Sequence, residues 1–329
     1  MRHTGIMNTY DIVGDVHGSF KQLQRLVLKL GYDLTSGEHP DGHQLVFVGD
    51  LIDRKDDQWE TIELVRRFVR AGNAHCVMGN HEFNALAYAT PTVDGSDWCK
   101  RHTEHNYQTH QSFLENLSAE QRDEALEWFL ELPLWLSLPG LNVVHACWDQ
   151  KSIDSLTQIL QGSKLRGKAD IQAASDRSNP LFRLVETVVK GPEITLSEID
   201  LPPYRDKGGT LRTEGRANWW ASDRKTQKQL VDIPANTKLD DGTAYPELDD
   251  VREFPDVSVP TYNLDTPVAF GHYWREWSDD DDWDEPEYIG WGSGRMCVDF
   301  SAGNNGPLVA YRFVEGERTF SIERFHLSA

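Results

Sequence analysis

The chain has 329 residues, 39% hydrophobic and 26% charged, which fits one large or two ordinary globular domains and speaks against wholesale disorder. With 33 Lys and Arg against 53 Asp and Glu the net charge is −20, so bulk charge attracts neither a nucleic-acid backbone nor an anionic membrane. No apolar run approaches the roughly 18–20 residues of a membrane span, and residues 1–11 lack a signal-peptide core, so a cytoplasmic location is expected. Tyr10 to Val13 is a short β-prone run that ends in Gly14-Asp15. Leu23, Leu26, Val27 and Leu30 then repeat at helical spacing, with Gly31 as a stop. Leu45 to Val48 is continuously apolar, as suits a strand buried on both faces, and ends in Gly49-Asp50. A helix is expected from about Gln58 to Arg70, and a third strand over His75 to Met78, ending in Gly79-Asn80. Strands alternating with helices imply βαβ units.

Residues near Pro91 to Gln111 read as a polar loop, and Ser118 with Gln121 forms a capping box for the next helix. Leu141 to Val144 is a strand ending at His145. From about 150 to 260 the pattern weakens, with only pieces such as Leu181 to Val189 looking helical, so this stretch is expected to be an insertion or cap within a single domain of residues 1–329. The α/β pattern resumes at Pro267 to Phe270, ending in Gly271-His272, and the tail holds three β-prone segments, Met296 to Phe300, Leu308 to Phe313 and Thr319 to Phe325. The acidic stretch Ser278 to Glu287 reads as a solvated loop. Cys76, Cys99, Cys147 and Cys297 are far apart and form no C-x-x-C, so they are expected to be reduced and mostly buried.

The chemistry gathers at strand ends: Asp15 with His17, Asp50, Asn80 with His81, His145, and His272. Functional loops of open α/β sheets collect at the carboxyl ends of strands, so residues more than 250 positions apart can share one crevice. Carboxylate and amide oxygens with imidazole nitrogens form a donor set for borderline divalent metals such as Mn, Fe, Zn, Co or Ni. A lone strand-end Asp is more often a turn or helix cap; the set as a whole has no such explanation.

Gly14-Asp15-Val16-His17-Gly18, Gly49-Asp50-Leu51-Ile52-Asp53-Arg54 and Gly79-Asn80-His81-Glu82, followed in order by Val144-His145-Ala146 and Gly271-His272, resemble the motifs of calcineurin-like metallophosphoesterases. The phosphoprotein phosphatase-like branch is the most similar, including bacterial serine/threonine phosphatases and diadenosine-tetraphosphatase-like enzymes. The resemblance covers residues 10–150 and 265–315. It implies a four-layer α/β/β/α sandwich and two divalent metal ions, manganese first among the candidates. It further implies that Asp15, His17 and Asp50 hold one ion while Asp50, Asn80, His145 and His272 hold the other. His81 is then the proton donor, Asp53 its carboxylate partner, and Arg54 a bidentate phosphate clamp assisted by Asn80. A second substrate arginine is expected between the later histidines, with Arg216 the candidate ahead of Arg212 and Arg224.

The expected function is hydrolysis of phosphate monoesters on a phosphorylated protein or a small phosphorylated metabolite. The alternative is hydrolysis of dinucleoside polyphosphates or another small nucleotide. A non-catalytic metal-stabilised scaffold is disfavoured, because it needs neither His81, Asp53 nor Arg54. Membrane and nucleic-acid partners are not expected. His102, His105 and His110 read as a solvated or phosphate-facing loop surface, and Trp219, Trp220, Trp274, Trp277, Trp283 and Trp291 as packing rather than pocket walls.

Overall fold

Strand β1 (Thr9–Val13) shows how alternation divides side chains between two layers. Tyr10 and Ile12 enter a core shared with strands of a second sheet, while Asp11 lies fully buried on the opposite face. That carboxylate is satisfied there by the Tyr32 hydroxyl at 2.8 Å and by a two-pronged Arg312 guanidinium, Nε and Nη2 each at 2.8 Å. The computed structural model describes residues 7–205, 209–220, 225–234, 237–260, 265–275 and 294–328. After β1 the elements are α1 (Phe20–Leu30), β2 (Gln44–Phe47), α2 (Gln58–Arg70), β3 (Ala74–Cys76), α3 (Asn80–Tyr88), α4 (Glu104–Asn116) and α5 (Ala119–Phe129). Next come β4 (Trp135–Leu138), β5 (Leu141–Val144), α6 (Gln150–Leu160), α7 (Lys168–Ser175) and α8 (Pro180–Lys190). There follow β6 (Glu193–Thr195), β7 (Tyr204–Arg205), β8 (Leu211–Arg212), β9 (Glu214–Ala217), α9 (Gln227–Leu230) and β10 (Val231–Asp232). The chain closes with β11 (Val268–Phe270), β12 (Arg295–Cys297), β13 (Val309–Val314) and β14 (Phe325–Leu327).

The residues cluster into two compact units, one of Met1–Lys190 with Leu264–Ala329 and one of Gly191–Asn263. In the larger unit, one sheet has the order β14-β13-β1-β2-β3 and the other β12-β11-β5-β4. Tyr10, Ile12, Val46 and Val77 of the first sheet pack with Leu141, Val143, Ala269 and Met296 of the second, which makes the sandwich core. Helices complete the α/β/β/α layering. Helix α1 buries Leu23, Leu26, Val27 and Leu30 and ends at Gly31, whose φ of 98° suits a glycine cap. The capping box of Ser118 and Gln121 opens α5 as expected. β1, β2 and β3 run parallel, as do β5, β11 and β12, so each sheet presents three carboxyl ends to one edge. All four cysteines are free, and three of them are buried.

Residues 104–116 form α4 instead of continuing the expected polar loop. The helix has only His110 and Phe113 buried, a stripe too narrow to register as amphipathic. In the tail the last strand begins at Phe325, after a 3-10 turn at Ile322–Arg324, not at Thr319. The stretch from 150 to 260 is divided: α6, α7 and α8 belong to the larger unit, while Gly191–Asn263 forms its own. The smaller unit has a β10-β9-β6 sheet, a β7-β8 hairpin and a core of Ile194, Leu196, Ile199, Tyr204, Leu230 and Phe254. Among the described residues no helix is long and apolar enough to cross a membrane.

Candidate metal centre

Each parallel strand of the first sheet ends in a glycine turn that offers a polar side chain: Asp15 and His17 after β1, Asp50 after β2, and Asn80 and His81 after β3. The second sheet adds His145 after β5, His272 after β11 and Asp299 after β12. The turns are tight. A Cβ at Gly79 would stand 2.2 Å from Asp50 Oδ1, and one at Gly271 would stand 2.0 Å from Asp15 Oδ1. Neither position can carry a side chain without moving a carboxylate. His17, Asp50, Asp53, Arg54 and His272 all adopt left-handed φ values between 50° and 72°. Such conformations are unfavourable for non-glycine residues and gather where a fold must aim a side chain.

Asp50 is the hub. His145 Nε2 lies 3.4 Å from its Oδ1, and His17 Nε2 and His81 Nε2 lie 3.7 and 3.8 Å from its Oδ2. Asn80 Oδ1 sits between His145 Nε2 at 3.0 Å and His272 Nδ1 at 2.8 Å. The hydrogen-bonding partners fix the tautomers of two of these rings. His17 Nδ1 is 2.9 Å from the Ile52 carbonyl and His145 Nδ1 is 2.7 Å from the Val48 carbonyl. A carbonyl only accepts, so both Nδ1 atoms carry the proton, and a neutral ring turns the lone pair of Nε2 toward Asp50. At His17, which burial holds neutral, a lone pair then faces a carboxylate, an arrangement that a cation between them would resolve, whereas Asp50 draws a proton onto His145.

Charge balance makes the same point. Burial opposes the charge of Asp50, but His145 and His81 beside it hold its carboxyl well below the usual range. Asp15 goes the other way: burial first, then Asp299 and Asp50, push it well above that range. Asp15 and Asp299 are hydrogen-bonded to each other, and burial raises Asp299 to about 6. Burial and the neighbouring His81 push His17 down to about 4. Burial and Asp50 raise Glu82 to about 7. Three buried carboxyls around Asp50 are thus pushed toward their protonated forms, and a divalent cation would let them ionise. His17, Asp50 and His81 form one group able to hold a metal, and Asp50, His145 and His272 another, each with ligand atoms within 4.8 Å of one another. Asp15 touches the second group, accepting the His272 backbone N–H at 3.1 Å. His39, Asp41 and His43 form a third group, but its chemistry is spent locally. His39 Nε2 bonds the Leu30 carbonyl, its Nδ1 accepts from Asp41 N, and its ring stacks on His43 at 4.0 Å.

Beside the hub, His81 Nδ1 is 2.5 Å from Asp53 Oδ2. Burial would lower the His81 pKa, yet Asp50 and Asp53 together raise it. Arg54 is exposed at the rim and close enough to repel protons on both His17 and His81. Arg216 belongs to β9 of the smaller unit, opposite Glu193 and Asp232 in its sheet. Arg212 and the buried Trp219 and Trp220 belong to that unit too. Arg224, Trp277, Trp283, Trp291 and the acidic stretch at 278–287 lie outside the described residues.

Three residues escaped the sequence reading. His110, expected on a solvated surface, is buried, and its Nδ1 lies 2.9 Å from Asp53 Oδ1. Its helix is too polar to betray a buried face. Glu82 was visible as a motif letter without a job. It accepts the backbone N–H groups of Asp50, Leu51 and Gly79 at 2.8–2.9 Å, clamping the loop after β2 to the loop after β3. Asp299 sits inside the β-prone run Met296 to Phe300; β12 stops at Cys297, which makes Asp299 one more strand-end acid.

The chain is 39% identical over 145 residues to the asymmetrical bis(5'-nucleosyl)-tetraphosphatase PrpE of Halalkalibacterium halodurans, covering 42% of this chain and 56% of that protein. It is 30% identical over 158 residues to a symmetrical bis(5'-nucleosyl)-tetraphosphatase of Marinomonas sp., covering 46% and 50%. The chain thus spans about half the length of the curated relatives it matches. A protein serine/threonine phosphatase structure from Saccharomyces cerevisiae aligns at a TM-score of 0.45 and 12% identity, covering 99% of this chain and 80% of that one. The model of the calcineurin-like phosphoesterase family matches residues 9–276, from β1 past His272 and so through most of the strand-end site, and the chain belongs to that family.

Proposed function

We propose that the chain is a metal-dependent phosphoesterase that hydrolyses phosphate monoesters. The observation that carries this is the meeting at Asp50 of imidazole nitrogens and buried carboxyls beside a His81–Asp53 pair. Asp15, His17 and Asp50 would hold one divalent cation, and Asp50, Asn80, His145 and His272 the other, with manganese the first to test. When bound, such a pair offsets charge on phosphoryl oxygens and makes water acidic enough to supply a nucleophile at neutral pH. The protein's own groups do the rest. Asp53 accepts the His81 Nδ1–H and fixes the ring, leaving Nε2 toward the site. As a water oxygen bonds to phosphorus and the bond to the leaving oxygen breaks, the Nε2 proton passes to that oxygen. Solvent then restores it. Arg54 presents a planar fork that can grip two phosphoryl oxygens, which a lysine cannot copy.

A second reading, hydrolysis of dinucleoside polyphosphates, is favoured by the names of the relatives. Manganese-loaded protein assayed on an aryl phosphate, a phosphopeptide and diadenosine tetraphosphate separates the two through kcat/KM. No turnover of any of the three overturns the enzyme reading.

A further inference from the structure

His110 holds the carboxylate on which the proton donor leans, and we infer that it is a positioning residue for proton delivery to the leaving group. The inference rests on the phosphoesterase reading and extends it to a residue outside the recognised motifs. Asp53 has its backbone fixed by other means, with φ at 71° and its N–H donated to Gln58 Oε1 at 2.7 Å. Its carboxylate torsion is intrinsically soft. Two imidazoles pin it. His110 Nδ1 lies 2.9 Å from Oδ1 and 3.1 Å from Oδ2, and His81 Nδ1 lies 2.5 Å from Oδ2. With His110 occupying Oδ1, Oδ2 stays turned toward His81.

The His110 ring is itself immobilised. It stacks on Phe113 at 4.8 Å, lies 5.5 Å from the Tyr88 ring, and its side chain is only 4% exposed. Phe113 is the other buried residue of α4, and Tyr88 closes α3, the helix that begins with Asn80 and His81. The ring therefore couples the α4 scaffold to the helix that carries the proton donor. Packing alone does not explain an imidazole here. Between two aromatic rings a leucine would fill similar space without the cost of burying polar nitrogens. The hydrogen bond to Asp53 is what the imidazole adds, in the manner of the outer partners that orient histidines at metal sites.

The test compares His110→Asn, which keeps an N–H donor near the Nδ1 position, with His110→Leu, which keeps bulk alone. Each manganese-loaded protein is assayed on 2,4-dinitrophenyl phosphate, whose leaving group needs no proton, and on an alkyl phosphate, whose leaving group does. His110→Leu should lower kcat on the alkyl ester by about 10–100-fold, leave KM alone, and change dinitrophenyl turnover little. His110→Asn should recover most of the loss. Proton NMR gives a readout independent of turnover: the downfield imidazole N–H signals should number one fewer in either variant. The His81 signal should broaden in the leucine variant only. Equal losses on both esters, or an asparagine variant no better than leucine, overturn the positioning role while leaving the phosphoesterase reading intact. A wild-type protein inactive on both esters overturns both. If His110→Leu does not fold, the asparagine variant decides alone: near wild-type activity on both esters with the His81 signal sharp supports the role, and a loss shared by both esters overturns it.

Discussion

Asp15 and Asp50 follow Gly at the ends of adjacent parallel strands, and in sequence they look interchangeable, yet their surroundings are opposite. Asp50 faces three imidazoles within 3.8 Å and accepts the His81 backbone N–H at 2.9 Å. Asp15 faces a second carboxyl, Asp299, and accepts the His272 backbone N–H at 3.1 Å. Both are almost fully buried, so solvent screens neither. The fold offsets the charge of one half of the site with its own side chains and leaves the other half with two carboxyls pushed toward their protonated forms. The teaching is that an added cation matters to the two halves differently. Around Asp50 it replaces protons on ready-made ligands; around Asp15 it removes a repulsion already present.

The sharpest way to break this contrast is at the hub. Asp50→Asn should lower manganese-dependent turnover on an aryl phosphate at least about a thousandfold, the scale of losing a charge-stabilising group in a dry site. Asp15→Asn should cost less, because it also relieves the repulsion from Asp299. Equal losses would show that the asymmetry has no bearing on the chemistry. His81→Ala comes next, with about a hundredfold loss of kcat on an alkyl phosphate, within the usual range for a general acid. Metal content by elemental analysis should stay near the wild-type level if the ring acts as donor. A matching loss of metal would instead make His81 a ligand, as its place in a group with His17 and Asp50 allows.

The contrast also marks where sequence reading succeeds. Gly14-Asp15-Val16-His17-Gly18 and its counterparts are local: a strand, a turn and a side chain within five residues. Apolar runs such as Leu45 to Val48, all fully buried, place those turns. The α/β/β/α layering was legible only through the family resemblance those motifs carry, since the apolar runs by themselves implied no more than βαβ units. What escaped is long-range. His110 meets Asp53 across 57 positions, from a helix whose exposed face is almost wholly polar. Asp299 depends on β12 ending at Cys297, three residues before the expected end at Phe300. The smaller unit, with strands of two to four residues, has too little periodicity in any one segment to declare a sheet.

Asp299→Asn sharpens the comparison from the anionic side. It puts an amide donor opposite Asp15 and removes one charge from that half. Manganese affinity, read by isothermal titration, should fall by about 10–100-fold at the weaker of the two binding events, the usual cost of losing an outer partner. The tighter event should hardly move. A uniform weakening of both would mean the halves are not separable.

The smallest effect is on stability, and its pH dependence carries the sign of the argument. Asp299 has its carboxyl raised to about 6 by burial, against 3.8 in an unfolded chain. Between these values the folded protein keeps a proton that the unfolded chain has released, so stability falls as pH rises through the window. Below it the group costs nothing; above it the full cost is present. Asparagine never ionises and escapes that cost at every pH. In metal-free protein, Asp299→Asn should therefore raise Tm by a few degrees at about pH 7.5, with the gain shrinking through about pH 6 and vanishing near pH 4. Saturating manganese should reverse the order, because the wild-type protein then gains more from binding than the variant does. Differential scanning calorimetry across this range, with chelator and with metal, decides the matter. A Tm difference that ignores pH would mean that burial does not hold the Asp299 carboxyl up, and the proposed imbalance between the two halves would fall with it.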